Sequence, residues 1–195
     1  IVGSAYHDQV GGEWAGRDWA ANPSQSISYV SAHDNNTLYD KLLGVETASD
    51  GNTSDEYIKM LQKQANAIVL TAQGVPFLHA GVEMMRTKDG DHNSYNASDE
   101  VNQIDWNWKN ENQDVYDYYK GLISLRSAHP AFRMSAQEDI QNNLTFMEEV
   151  PLGVIAFNLT NNANGDSASD ITVIHNATDS EQVISLPKSA DWQLV

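Results

Sequence analysis

The stretch Ser26-Ile27-Ser28-Tyr29-Val30-Ser31-Ala32-His33-Asp34-Asn35 decides the fold, because a β-prone run stops there abruptly on adjacent imidazole, carboxylate and amide side chains. Tyr29 and Val30 favour extended backbone and the run is too short for a helix, so a strand is predicted over Ser26 to Ala32. The polar triplet then lies just beyond the strand's C-terminal end. In parallel α/β sheets and barrels, that is the end at which ligands bind and chemistry takes place.

Upstream, Ile1 to Pro23 is rich in Gly, Asp and Trp with no sustained period, and reads as a long irregular loop. Downstream, a polar connection follows Asn35, and Thr53 with Glu56 has the spacing of a capping box. Ile58, Leu61, Ala65, Ile68 and Val69 share one helical face, with Gln62 and Asn66 mostly elsewhere, so an amphipathic helix is predicted to about Ala72. Gly74 and Pro76 end it. Val75 to His79 is a short apolar run that predicts a second buried strand, with Pro tolerated near its start. A polar loop is expected from about Lys88 to Asn112. Val115, Tyr118, Tyr119, Leu122, Ile123 and Leu125 mark a further helix, stopped by Pro130.

Beyond Pro130 the period changes. Leu144 to Met147, Val154 to Leu159, Ile171 to Ile174, Val183 to Leu186 and Trp192 to Val195 are β-prone runs separated by turn residues, a spacing that suggests an antiparallel sandwich. The expected division is 1–133, an α/β part, and 134–195, an all-β part whose last strand has no closing turn. Two βα units cannot cover both faces of a sheet or close a barrel, which needs about eight such units. The chain is therefore expected to be the C-terminal portion of a larger enzyme.

Composition narrows the partners. The 195 residues carry 27 acidic against 11 basic side chains, a formal charge of −16. That charge repels phosphate backbones, so no nucleic acid is expected. With 41% hydrophobic residues and a mean hydropathy of −0.49, no apolar run approaches the roughly 20 residues of a membrane span, and no membrane partner is expected. There is no Cys, which excludes thiolate metal sites and disulfides and leaves the redox compartment and localisation open. The chain begins at Ile1 without a basic-then-apolar leader, so no address label is legible.

Several motifs in fixed order extend the reading. Tyr29-Val30-Ser31-Ala32-His33-Asp34-Asn35 is followed by Gly74-Val75-Pro76-Phe77-Leu78-His79-Ala80-Gly81-Val82-Glu83, then Arg86-Thr87-Lys88 and Asn93-Ser94-Tyr95-Asn96. Asn102-Gln103-Ile104-Asp105-Trp106, Tyr118 to Ile123 and Leu125 to Arg133 complete the series. Together these resemble the last barrel strands of the α-amylase superfamily of glycoside hydrolases, and within it the type I pullulanases, the α-1,6 debranching enzymes. The resemblance covers most of the chain. It implies a fold of α/β plus all-β type: the last βα units of a (β/α)8 TIM barrel, strands seven and eight, followed by an antiparallel β-sandwich.

By the same resemblance, Asp34 matches the family's third catalytic carboxylate, which assists an oxocarbenium-like transition state. His33 matches the histidine that binds sugar hydroxyls at the cleaved linkage. Asn35, Arg86, Asn93 and Tyr95 are expected to line the substrate cleft. The implied partners are an α-glucan (pullulan, branched dextrins or glycogen) and the remainder of the chain's own barrel, with self-association through exposed barrel edges as a further expectation. Retaining hydrolysis needs a nucleophile and an acid about 5 Å apart, and no segment here resembles the motifs that carry them. Asp8, Glu13 and Asp18 lie in the wrong place along the chain, and the family's Asn-Trp-Gly-Tyr-Asp signature is missing. The polypeptide alone is expected not to hydrolyse pullulan.

Alternative roles stand beside these. Asp34 and Asn35 also suit backbone capping after a strand, and Glu83 suits a buried ion pair in place of a substrate contact. Trp14 and Trp19 suit either packing or a sugar platform. Asp89, Asp91, Asn93 and Glu100 nearly match a calcium loop, but Ser94 stands where that loop needs Gly. No metal ligand set and no required cofactor are therefore assigned, and calcium in another geometry stays open. Two further functions remain at this point: a non-catalytic carbohydrate-binding or interaction module formed by the β-rich half, and an isoamylase- or amylase-type hydrolase with the same fold and residue roles.

Overall fold

In the computed structural model, which describes residues 1–10, 19–186 and 190–195, the two expected strands pair in parallel. β1 (Ile27–Ser28) lies beside β2 (Val75–Pro76), with Ile27 opposite Val75 and Ser28 opposite Pro76. The pairing is shorter than the expected runs from Ser26 to Ala32 and from Val75 to His79, since each strand has only this one neighbour among the described residues. Val75 N–H donates to Ser26 O and Phe77 N–H to Ser28 O, both at 2.9 Å. Pro76 falls between these donors, where a missing N–H costs the ladder nothing.

Between the strands lie two helices rather than one. α1 (Leu38–Ala48) occupies the expected polar connection, and its N-cap Thr37 accepts the Asp40 N–H. Leu38 and Leu42 face its core contacts at helical spacing. α2 (Asp55–Thr71) begins after Ser54 with no side-chain cap bond, so the Thr53–Glu56 capping box does not form. The most buried stripe of α2 also differs from the expected face: Gln62 and Asn66 are fully enclosed beside Ile58. Their amide N–H groups find acceptors there, although Gln62 Oε1 has no partner among the described residues. Gln62 Nε2 donates to Val82 O at 2.6 Å, and Asn66 Nδ2 to the Tyr119 hydroxyl at 2.6 Å.

The loop expected from Lys88 to Asn112 contains two short helices, α3 (Asp99–Asn102) and α4 (Asn107–Glu111). α5 (Gln113–Ala128) then packs on α2 through Val115 and Tyr119, while Tyr118 and Ile123 of the expected stripe remain exposed. Burial pushes the Tyr119 phenol above its ordinary value. Leu38, Ile58, Val82, Met85, Val115 and Tyr119 form one core cluster.

α6 (Gln137–Asn143) follows the expected division after residue 133. It leads into an antiparallel sheet of β3 (Leu144–Phe146), β4 (Val154–Leu159) and β5 (Ile171–Asn176), with β4 in the centre. The runs at Val183–Leu186 and Trp192–Val195 are not strands. Among the described residues there is one three-stranded sheet and no sandwich: both runs are largely exposed and offer no buried face for a second layer. The sheet packs on Val2, Ala131, Phe132, Met134 and Ile140 in a second core cluster that spans both sides of residue 133. Gln9 closes the β3 edge like a short strand: its Nε2 donates to Phe146 O at 3.0 Å and its Oε1 accepts Phe146 N–H at 2.8 Å.

Two buried polar groups hold these parts in register. The Arg126 guanidinium of α5 donates to the carbonyls of Leu70 (2.9 Å), Ala72 (2.7 Å) and Gly74 (2.9 Å) at the α2 terminus. Burial lowers its pKa to about 10, which leaves it cationic at neutral pH. Asp166, whose side chain is wholly enclosed, accepts from Ala131 N–H at 3.1 Å and Ala168 N–H at 2.9 Å and contacts His129 Nδ1 at 3.0 Å. Burial raises its pKa, but those hydrogen bonds outweigh that effect and leave it below the ordinary carboxylate value.

Arg126→Met is expected to destabilise the chain by about 3 kcal/mol or more in urea unfolding, because two buried acceptors and one part-buried acceptor lose a charged donor at once. For Asp166 the folded-state pKa lies below the unfolded one, so its contribution is present above the unfolded value of about 3.9 and is lost as pH falls through the folded value. Stability should therefore drop on acidification below about pH 4, and Asp166→Asn should be less stable at pH 7 with a flatter acid limb.

Candidate active site

The triplet His33-Asp34-Asn35 follows β1 and stands in solvent. The side chains of His33 and Asp34 are 85% and 80% exposed, with His33 Nε2 3.8 Å from Asp34 Oδ1. Asn35 sits in the left-handed region at φ +62°, a conformation that Asn tolerates and β-branched residues do not. The loop is held through its main chain and its flanks. Lys88 Nζ lies 3.4 Å from His33 O, Asn36 Nδ2 donates to Gly90 O at 3.3 Å, and Lys41 Nζ lies 3.4 Å from Val30 O.

Helix α1 supplies one of those contacts, through Lys41, and the loop after β2 supplies the other two, through Lys88 and Gly90. Gly81 turns it at φ +92°, where a Cβ would come within 2.7 Å of Arg86 Cδ. Asp40, in the first turn of α1, is buried and gathers the two loops. Its carboxylate accepts from the hydroxyls of Thr37 (2.8 Å) and Thr87 and from Lys88 N–H at 2.8 Å. Lys88 is only 6% exposed, and its ammonium donates to Ser94 Oγ at 2.7 Å. From the sequence, Asp40 is not named at the site, and Lys88 and Ser94 enter only as members of the Arg86-Thr87-Lys88 and Asn93-Ser94-Tyr95-Asn96 motifs, with no anchoring role. An Asp in a helix's first turn and a Lys in a polar loop read as ordinary surface residues until their burial is known.

The remaining expected residues separate into two groups. Asn93 and Tyr95 are exposed on the same loop; Tyr95 is 82% exposed, and Asn93 N–H is tied to Asp91 Oδ1 at 2.8 Å. Arg86 lies inside that loop. Its guanidinium donates to Ala80 O (3.1 Å) and Asn102 O (2.6 Å), so both terminal nitrogens serve the loop's own backbone. Glu83 forms no ion pair among the described residues and accepts Gly81 N–H at 3.1 Å. Half-burial, reinforced by Arg86, Lys88 and His33, lowers the pKa of His79 below its ordinary value, which keeps that strand-end imidazole neutral at neutral pH.

Ser94 Oγ is engaged by Lys88, and among the described residues no three His, Asp or Glu side chains gather as metal ligands. Trp19 is exposed, whereas Trp14, Glu13 and Asp18 lie outside the described residues. On the described part of 135–195 no aromatic ring is exposed. Sugar-binding surfaces rely on such rings for stacking.

Residues 140–195 match the family described as "Pullulanase, all-beta domain". The pullulanase of Bacillus subtilis (strain 168) is 41% identical over 172 residues, which are 88% of this chain and 22% of that protein. The apo pullulanase from Paenibacillus barengoltzii superposes with a TM-score of 0.86 at 40% identity, over 98% of this chain and 28% of that one. The complex of the same enzyme with maltohexaose and α-cyclodextrin gives a TM-score of 0.85 at 42% identity, over 95% and 27% of the two chains. Sequence and fold thus both make this chain similar to the pullulanases, as its motifs imply, and it spans about a quarter of their length.

The left-handed backbone at Asn35 separates a conformational role from a chemical one. Asn35→Gly should change stability by only a few tenths of a kcal/mol, whereas Asn35→Val should cost about 1–2 kcal/mol in urea unfolding.

Proposed function

We propose, from the similarity to pullulanases and the position of the triplet, that this chain forms part of a debranching glycoside hydrolase acting on α-1,6 bonds of α-glucans. In that reading β1 and β2 are strands seven and eight of a (β/α)8 barrel, residues 1–133 are its last portion, and 134–195 form a following β domain. The observation that carries it is the parallel β1–β2 pair, whose C-terminal ends bring Asp34 and the Arg86–Asn96 loop to one side. That is the end of a parallel barrel at which active sites are built.

Asp34 supplies negative charge to the oxocarbenium-like transition state, an interaction stronger there than with the neutral ground-state sugar. His33 holds hydroxyls of the sugar at the cleaved bond, and Asn35, Asn93 and Tyr95 contribute amide hydrogen bonds and a stacking face. Arg86 acts behind them by fixing the loop. The nucleophile and the proton donor, needed about 5 Å apart for retention, lie in other segments of the complete enzyme, as does the rest of the barrel. Those segments would cover the exposed apolar side chains of Ile27, Tyr29, Val75 and Phe77. No required cofactor enters this scheme. The identity to the Bacillus pullulanase, 41% against 27% to the isoamylase of Pseudomonas amyloderamosa, favours the pullulanase type.

In the complete enzyme, Asp34→Asn should lower kcat on pullulan by about 10²–10³-fold with KM changed less than about threefold. An unchanged kcat would remove Asp34 from the mechanism. The 195-residue chain alone should release no reducing sugar from pullulan; measurable release would overturn the assignment of nucleophile and acid to other segments.

A further inference from the structure

We infer that Lys88 is a positioning residue for the carboxylate of Asp34, acting through the main chain of His33; the inference rests on the role proposed above for Asp34. A lysine is almost never fully buried without a reason, and Lys88 is 6% exposed. Its ammonium has no carboxylate within ion-pair distance among the described residues. It is directed instead at the carbonyl of His33 (3.4 Å) and the hydroxyl of Ser94 (2.7 Å). The peptide that begins at that carbonyl is the one that leads into Asp34.

Neither His33 nor Asp34 is packed by its side chain, since both are at least four-fifths exposed. The point from which the Asp34 side chain departs is therefore set by its backbone, and the backbone's anchors come largely from the facing loop: Lys88 on His33 O and Asn36 on Gly90 O. Lys88 is itself fixed from behind, because its N–H donates to the buried Asp40 at 2.8 Å, and Asp40 also holds Thr37 and Thr87. The lysine thus joins α1, the His33–Asn36 loop and the turn at Ser94. A catalytic group displaced by about 1 Å can lose about 10²-fold in rate. Losing this one cation frees the only side-chain contact on the His33 carbonyl among the described residues.

The test uses the complete enzyme with Lys88→Met, beside Asp34→Asn, assayed well below the unfolding midpoint of each. Lys88→Met is expected to lower kcat on pullulan about tenfold or more while KM moves less than about threefold. It should also weaken binding of an α-glucosyl iminosugar, which mimics the cationic transition state, about tenfold while leaving maltotriose binding unchanged. A merely structural lysine would move both ligands or neither. Where Lys88→Met does not accumulate as folded protein, Lys88→Gln is read in the same two assays. If Asp34→Asn is inactive but the folded Lys88 variant keeps kcat within about twofold, the positioning role is overturned and the Asp34 reading survives. If Asp34→Asn keeps full kcat, the Asp34 reading fails and takes the positioning role with it.

Discussion

One buried guanidinium fixes the frame on which everything else depends. The end of α2 presents carbonyls without intrahelical partners, and Leu70 in its last turn, the C-cap Ala72 and Gly74 just beyond direct theirs at Arg126 of α5. A cation at a helix C-terminus also meets the negative end of the helix dipole. Val75 follows directly and donates to Ser26 O, so the segment that ends the helix also sets where the parallel pair begins. Gln73, between these carbonyls, reaches the other way: its side chain donates to Ala131 O and accepts Met134 N–H, both at 2.9 Å. Arg126 and Gln73 therefore tie α2, α5, the strand pair and the start of the β-rich half into one arrangement.

Hydrogen-bond chemistry also accounts for what the sequence did and did not disclose. The periodicity of Ile58, Leu61, Ala65 and Ile68 implies a helix of nearly the observed length, because local pattern determines helix formation. It misplaces the buried face because Gln62 and Asn66 read as solvent-facing. Their amide N–H groups are enclosed because Tyr119, more than fifty residues beyond Asn66, and the Val82 carbonyl accept from them, while Gln62 Oε1 is buried with no partner among the described residues. No local rule reports such a partner. Helix α1 differs: Leu38 and Leu42 stand at helical spacing and Thr37 is a good cap, so its signal is present within a stretch whose polarity suggests only a connection. The shortfall in the β-rich half has another cause, since the β-prone runs Val183–Leu186 and Trp192–Val195 find no second layer among the described residues.

At the candidate site the same division recurs. His33, Asp34 and Asn35 are legible because a β-prone run that ends on three adjacent polar side chains marks a strand terminus open to solvent or ligand. Arg86 is expected from the sequence to line the cleft but serves its loop from inside; Lys88 enters the sequence reading only as part of the Arg86-Thr87-Lys88 motif, and Asp40 does not enter it. A charged residue inside a polar loop has the same local sequence context whether it is solvated or buried, and only the fold distinguishes the two.

That fold arranges charge in a way that suits Asp34. The chain is strongly acidic overall, yet Arg86, Lys88, His33 and His79 gather near the ends of β1 and β2. Cations sharing solvent with Asp34 would oppose a developing positive charge on a sugar ring. Arg86 and Lys88 instead direct their donors to the carbonyls of Ala80, Asn102 and His33 and to the Ser94 hydroxyl, and half-burial disfavours protonation of His79. Arg86 and Lys88 stiffen the two loops from within, and the Asp34 carboxylate faces solvent beside His33. Rigid support and an outward-facing carboxylate are what the electrostatic role proposed for Asp34 requires.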